Sequence, residues 1–148
     1  MSTPLEVVIV GAGPYGLSLA AHLQAYGIPS RIFGPPMEVW REHMPKGMLL
    51  KSDGFASNLS DPASSFTLKD FCAERGIPYD DTRLPVAIET FIEYAQAFQQ
   101  KLVPQLDTRQ VTRIDRTADQ YTSQLTDEET VTARRGVLAV GISHFAYI

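Results

Sequence analysis

Three glycines stand in the run Gly11-Ala12-Gly13-Pro14-Tyr15-Gly16. Such a run can hold a diphosphate bridge, because backbone N–H groups at a helix N-terminus donate to the anion and bare Cα positions let it come close. The first glycine serves the tight turn, the second the close approach and the third the contact between helix and strand. Pro14 suits the first helical turn, where its missing N–H is not needed. The spacing alone is a weak signal; its setting strengthens it. Leu5 to Val10 is a β-branched run entering the turn, and Leu17, Leu19, Ala20, Leu23 and Ala25 give the next segment an apolar helical face that Gly27 stops. Ser30 to Phe33 makes a second short strand, closed by Gly34-Pro35-Pro36. Strand, glycine turn, helix and strand form a βαβ unit.

A dinucleotide held in such a unit usually has its adenosine ribose gripped by an acid at the end of the second strand. Gly34 occupies that place. Glu38 is close enough in sequence to substitute, and its competing role is that of a solvated surface charge. Arg31 begins the strand and is badly placed to reach a 2′-phosphate.

Residues 37 to 65 lack periodicity and are rich in Met, Ser, Asp and Pro, which in a compact domain suggests a long ordered loop with a function. Thr67 caps a short surface helix carrying Leu68, Phe71 and Cys72, with Asp70 as capping-box partner and Gly76 and Pro78 beyond its end. Phe91, Tyr94, Ala95, Phe98 and Leu102 fall at helical spacing, so residues 89 to 102 form an amphipathic helix whose aromatics belong to the core. From Thr108 the pattern turns to β: Val111 and Ile114, then Tyr121 to Thr126, a turn at Asp127-Glu128-Glu129, and Thr130 to Arg134. Val137-Leu138-Ala139-Val140-Gly141 then runs without alternation, as a parallel strand covered on both faces would. The fold class expected is α/β: a Rossmann-like dinucleotide-binding domain with a parallel sheet, helices and a three-stranded antiparallel β-meander.

Composition removes several alternatives. The chain has 148 residues with 13 basic and 17 acidic side chains, a formal charge of −4, and no basic block to follow a phosphate backbone, so nucleic acid is not expected as a partner. The uncharged stretch from Val7 to Leu23 is interrupted by Gly11, Gly13, Pro14 and Gly16, and Glu6 stands where a signal peptide is positive, so neither membrane nor export is expected and the location expected is the cytoplasm. One cysteine, Cys72, cannot supply the dithiol pair of flavin–disulfide chemistry. His22, His43 and His144 have no acid or cysteine at ligand spacing, so no metal site is expected.

The order of these motifs resembles the FAD-binding part of flavoproteins with two dinucleotide-binding domains. More narrowly, Val39-Trp40-Arg41 and Met44-Pro45-Lys46-Gly47-Met48-Leu49-Leu50-Lys51-Ser52 resemble flavin-containing monooxygenases, and Leu59-Ser60-Asp61-Pro62-Ala63-Ser64-Ser65-Phe66-Thr67 resembles the lysine and ornithine N-hydroxylases of that group. The family's Gly-Gly-x-Trp reads Met37-Glu38-Val39-Trp40 here, and its Ala-Thr-Gly strand end reads Ala139-Val140-Gly141. The resemblance implies that Gly11, Ala12, Gly13, Pro14, Tyr15 and Gly16 hold the FAD pyrophosphate and that Gly34 stands at the ribose position. It further implies that Trp40 and Arg41 border the cofactor, that Lys51 and Ser52 lie near the isoalloxazine, that the Val111 backbone meets the adenine, and that Gly141 turns the last strand. Trp40 could equally anchor the loop in the core, and Arg41 and Lys51 could be solvated.

The intact enzyme implied would use NAD(P)H to reduce FAD and then oxygen to hydroxylate a small amine or soft heteroatom substrate. Residues 1–148 would be one FAD-binding domain, with the NAD(P)H-binding and C-terminal parts absent, binding FAD weakly at most and not turning over alone. Apolar surface left open beside the last strand would then promote self-association. The competing reading is a non-catalytic dinucleotide-binding module.

Overall fold

The computed structural model describes residues 4–143; His144 lies outside them. The elements are β1 (Leu5–Val10), α1 (Pro14–Ala25), β2 (Ser30–Phe33), α2 (Glu38–Glu42), a single 3-10 turn (Gly54–Ala56), α3 (Leu68–Arg75), α4 (Ile88–Leu102), β3 (Val111–Thr117), β4 (Gln120–Leu125) and β5 (Thr130–Leu138). The strands form one mixed sheet in the order β2-β1-β5-β4-β3. β1 lies parallel to β2 on one side, with Val10 opposite Phe33, and parallel to β5 on the other, with Val10 opposite Leu138.

The sequence reads Thr130 to Arg134 and Val137 to Val140 as two strands; they belong to one continuous β-run. The first half of β5 pairs antiparallel with β4, up to Ala133 opposite Tyr121, and from Ala133 onward it pairs parallel with β1. A single strand thus serves both meander and parallel layer. Nor is its second half covered on both faces: Leu138 is 65% exposed and Val137 half-buried.

Alternate side chains of β1 enter two cores, as the period of a strand dictates. Val7 and Ile9 pack with α1, α3 and α4, whereas Val8 packs with Phe33, Leu125, Val131 and Ala133, where the meander covers the opposite face. α3 has the capping box read from the sequence, with Thr67 Oγ1 accepting from the Asp70 N–H and Asp70 accepting from the Thr67 N–H. It is not merely superficial, for Leu68, Phe71 and Cys72 are buried.

The stretch 37–65 is not one loop but holds α2 and the 3-10 turn. Its far end is pinned by Tyr94 of α4, which is fully buried: the hydroxyl donates to the Phe66 carbonyl at 3.0 Å and accepts the Leu59 N–H at 3.1 Å. Leaving such a buried donor or acceptor unpaired costs about 1–3 kcal/mol, so these bonds select one path for the chain. Burial in this apolar setting raises the Tyr94 phenol and keeps it protonated. No helix among the described residues is long and apolar enough to cross a membrane.

Candidate functional site

The carboxyl ends of β1, β2 and β5 meet at one place, where open parallel sheets bind ligands. Gly11 follows β1 with φ +113°, and its N–H donates to the Phe33 carbonyl at 2.8 Å. A Cβ there would drive into the Ala139 carbonyl, which lies just beyond β5 and whose own N–H donates to Val10 O at 2.7 Å. A Cβ on Gly16 would collide with the Gly11 carbonyl. Both residues are therefore glycine because backbone occupies the space.

Gly13 differs. It is the N-cap of α1 with φ −81°, and a Cβ there would meet nothing within 4 Å. No side chain caps this helix, no acid stands in its first turn, and Pro14 takes its first position. The start of α1 thus has N–H groups without intrahelical acceptors and a bare Cα beside open space, an arrangement that suits an anion. Ala12 is buried beneath the turn, and Tyr15 stands 87% exposed beside it.

The other positions singled out by the sequence lie on several different elements. Gly34, at φ +131°, lies against the glycine turn, since a Cβ would come 3.5 Å from Ala12 N. Its N–H donates to the Asp107 carbonyl at 2.9 Å, and Asp107 makes a parallel bridge with Phe33, so residues near 107 extend the sheet beyond β2. Met37 closes the turn from the other side: its N–H donates to Ala12 O at 2.9 Å, its φ is 56°, and its side chain is fully buried. It fills core space where the resembled motif has a glycine. Trp40 is half-buried and meets Phe91 of α4 edge-on at 4.9 Å, while the exposed Arg41 donates through Nε to Pro36 O at 3.0 Å.

Lys51 and Ser52 are exposed and follow the segment that docks on the start of α4, where the Leu50 N–H donates to Val86 O and the Ile88 N–H to Met48 O. Ser52 Oγ bonds Ser57 Oγ at 2.8 Å. α2 and residues 48–50 thus converge on one end of α4. Val111 opens β3 and packs with the cluster that contains Phe33. Gly141 follows β5 at φ +67°, with open space at its Cα.

Sequence reasoning missed Asp107 and Ala139 as parts of the site. Ala139 acts through its backbone carbonyl, which no side-chain pattern reveals, and Asp107 lies seventy-odd residues from the strand it extends. Asp107 also anchors an ion network. Arg109 donates to it at 2.7 Å and reaches Asp127 at 2.6 Å and Glu129 at 2.7 Å, while Arg31 donates to Asp107 at 2.9 Å and lies over the Phe33 ring at 4.7 Å. Arg31 is therefore engaged in fixing β2 to the meander.

The Arg109 hydrogen bond is the first cause that holds the Asp107 carboxyl down to about 2. A depressed carboxylate stabilises the fold fully above its unfolded value of about 3.9 and loses that contribution as pH falls toward 2. Asp107→Asn is expected to cost about 1–2 kcal/mol near neutrality, after allowance for solvent screening, and to flatten the fall in thermal midpoint between pH 4 and pH 2. Parallel acid limbs in thermal scans of the two proteins would count against this.

Fold and crevice together define a Rossmann-like dinucleotide-binding domain. The chain belongs to the pyridine nucleotide-disulphide oxidoreductase family, whose sequence profile matches residues 5–147. Cys72, the sole cysteine, is buried in α3, so the dithiol of the family's name has no counterpart in this chain. Among curated proteins no sequence match is found.

Solved structures match the fold over nearly the whole chain. A flavin-containing monooxygenase from Stenotrophomonas maltophilia matches with a TM-score of 0.74 at 21% identity, over 95% of this chain and 39% of its own. A bacillithiol disulfide reductase from Staphylococcus aureus matches at 0.71 and 18%, over 95% of this chain and 39% of its own. An oxidised steroid monooxygenase bound to NADP matches at 0.70 and 20%, over 95% of this chain and 26% of its own. The chain therefore spans about a quarter to two-fifths of these proteins.

Proposed function

We propose that this chain is the FAD-binding portion of a cytoplasmic, NAD(P)H-dependent flavin monooxygenase that hydroxylates a small amine or heteroatom substrate. The observation that carries the reading is the meeting of three strand ends at the glycine turn, beside a bare Gly13 Cα that faces open space at the uncapped start of α1. Family membership, together with the flavin-containing and NADP-bound enzymes among the similar structures, supports FAD as the dinucleotide. The short motifs around Trp40, Lys51 and Leu59 favour a monooxygenase of the N-hydroxylating kind.

When bound, FAD supplies the redox chemistry, taking reducing equivalents from a nicotinamide and passing them to oxygen. The chain's own residues bind and orient it. The N–H groups of α1 receive the diphosphate, Gly11 and Gly16 hold helix and strands close enough to shape the crevice, and Trp40 and Arg41 border the cofactor on the side where α2 meets α4. Lys51 and Ser52, both exposed, lie near the isoalloxazine in this reading.

The test is a thermal-shift titration with FAD. Binding to the folded state alone raises its stability by about 2.7 kcal/mol at a hundredfold excess over Kd, so the unfolding midpoint should climb steadily with FAD concentration. A midpoint that stays indifferent to FAD up to its solubility limit, where even weak binding to the folded chain would register, would overturn the reading.

A further inference from the structure

We propose that Glu38 is the carboxylate that receives the ribose hydroxyls of the adenosine half of the dinucleotide, in place of an acid at the end of β2. The proposal rests on the dinucleotide reading above and assigns a residue that this reading leaves open.

The backbone itself excludes an acid from position 34. Gly34 turns at φ +131°, a conformation that side-chain-bearing residues rarely adopt. The turn is fixed on both sides: the Gly34 N–H donates to Asp107 O, and Pro35-Pro36 follows. Yet a Cβ on Gly34 would come within van der Waals reach of Gly11 and Ala12, so this position stands beside the glycine turn, where the ribose of a bound dinucleotide would come. The hydroxyls there need an acceptor from another element.

Two acidic residues come into question: Asp107, whose backbone bonds Gly34 across the sheet edge, and Glu38, four residues further along the chain. Asp107 is occupied, accepting from Arg109 and Arg31. Glu38 is half-buried in the first turn of α2 and has neither hydrogen-bond nor ion-pair partner among the described residues. The chain just before it is held beside the glycine run, because buried Met37 bonds through its N–H to Ala12 O. A non-glycine residue held at φ 56° at that point indicates that the surrounding packing dictates where α2 begins. A carboxylate so held can accept from the 2′ and 3′ hydroxyls together, as charge-assisted bonds.

The experiment titrates the chain, Glu38→Ala and Glu38→Gln with FAD and with its 2′-deoxyadenosine analogue, read by quenching of flavin fluorescence. The natural chain should prefer FAD by about tenfold, the worth of one charge-assisted bond. Both variants should bind the two ligands equally, at the weaker level. Circular dichroism reports folding, and if the Ala variant misfolds the nearly isosteric Gln variant carries the test. Variants that keep the natural preference for FAD, or a natural chain without that preference, overturn the assignment while leaving the dinucleotide reading intact. No quenching of either ligand by the natural chain removes both.

Discussion

Gly13→Val is expected to abolish FAD binding, raising Kd by about a hundredfold or more, while the chain stays folded. Two observations set this contrast. The backbone at Gly13 has φ −81° and ψ −171°, an extended conformation that a β-branched residue adopts freely and that a residue preceding proline prefers. A Cβ there meets no protein atom within 4 Å, so the isopropyl group would collide only with whatever ligand enters. Valine is a poor N-cap, which costs about 0.5–1 kcal/mol, and part of this is offset by the lower entropy of the unfolded chain. The unfolding midpoint in urea should therefore move little, and the FAD-dependent rise in thermal midpoint should vanish. Retained FAD binding in the folded variant would place the diphosphate somewhere other than against the α1 N-terminus.

How much of this was legible in the sequence depends on whether a residue acts through local geometry or through distant packing. β1, α1 and β2 fall where the glycine, proline and β-branched pattern puts them, because turn chemistry and helix stops are local rules. The α3 capping box is of the same kind. The single strand β5 was hidden for a physical reason. Arg134-Arg135-Gly136 interrupts the apolar pattern, yet Arg135 stays in the strand by reaching Glu6 at 3.1 Å from the surface, and the Gly136 Cα faces the Tyr121 ring. The exchange of partners from β4 to β1 at Ala133 has no local marker at all.

α2 illustrates the same limit from the other side. Five residues cannot sustain a helix by propensity. This one exists because Met37 is buried and tied to Ala12, and because Trp40 packs on Phe91, contacts spanning about 25 and 50 residues of chain respectively. The candidate site inherits this division. Its glycine turn is built from local geometry and can be read directly, whereas the arrangement of Trp40, Arg41, Lys51 and Ser52 depends on how α2 and residues 48–50 dock on α4. The short motif there marks the residues, but their contacts come from tertiary packing.

Gly11→Val should have the opposite effect to Gly13→Val, unfolding or nearly unfolding the chain irrespective of ligand. At φ +113° an L side chain is strained, and the new Cβ would run into the carbonyl of Ala139, main-chain atoms that cannot rotate aside. Relief requires the chain after β5 to move away from β1, which breaks the Ala139 N–H bond to Val10 O. It would also loosen the crossing where Gly16 packs against the Gly11 carbonyl, so the strand, the turn and α1 all lose registry together. Backbone strain and overpacking in the interior combine here to about 4 kcal/mol or more, against a net stability for an ordinary domain of about 5–15 kcal/mol. Urea denaturation of the variant should show a midpoint lowered by at least about a quarter, or no cooperative transition. A native-like midpoint would mean that the carbonyl at Ala139 does not lie against the turn. In that case the close contact between the returning strand and the glycine run, on which the shape of the crevice depends, would be wrong.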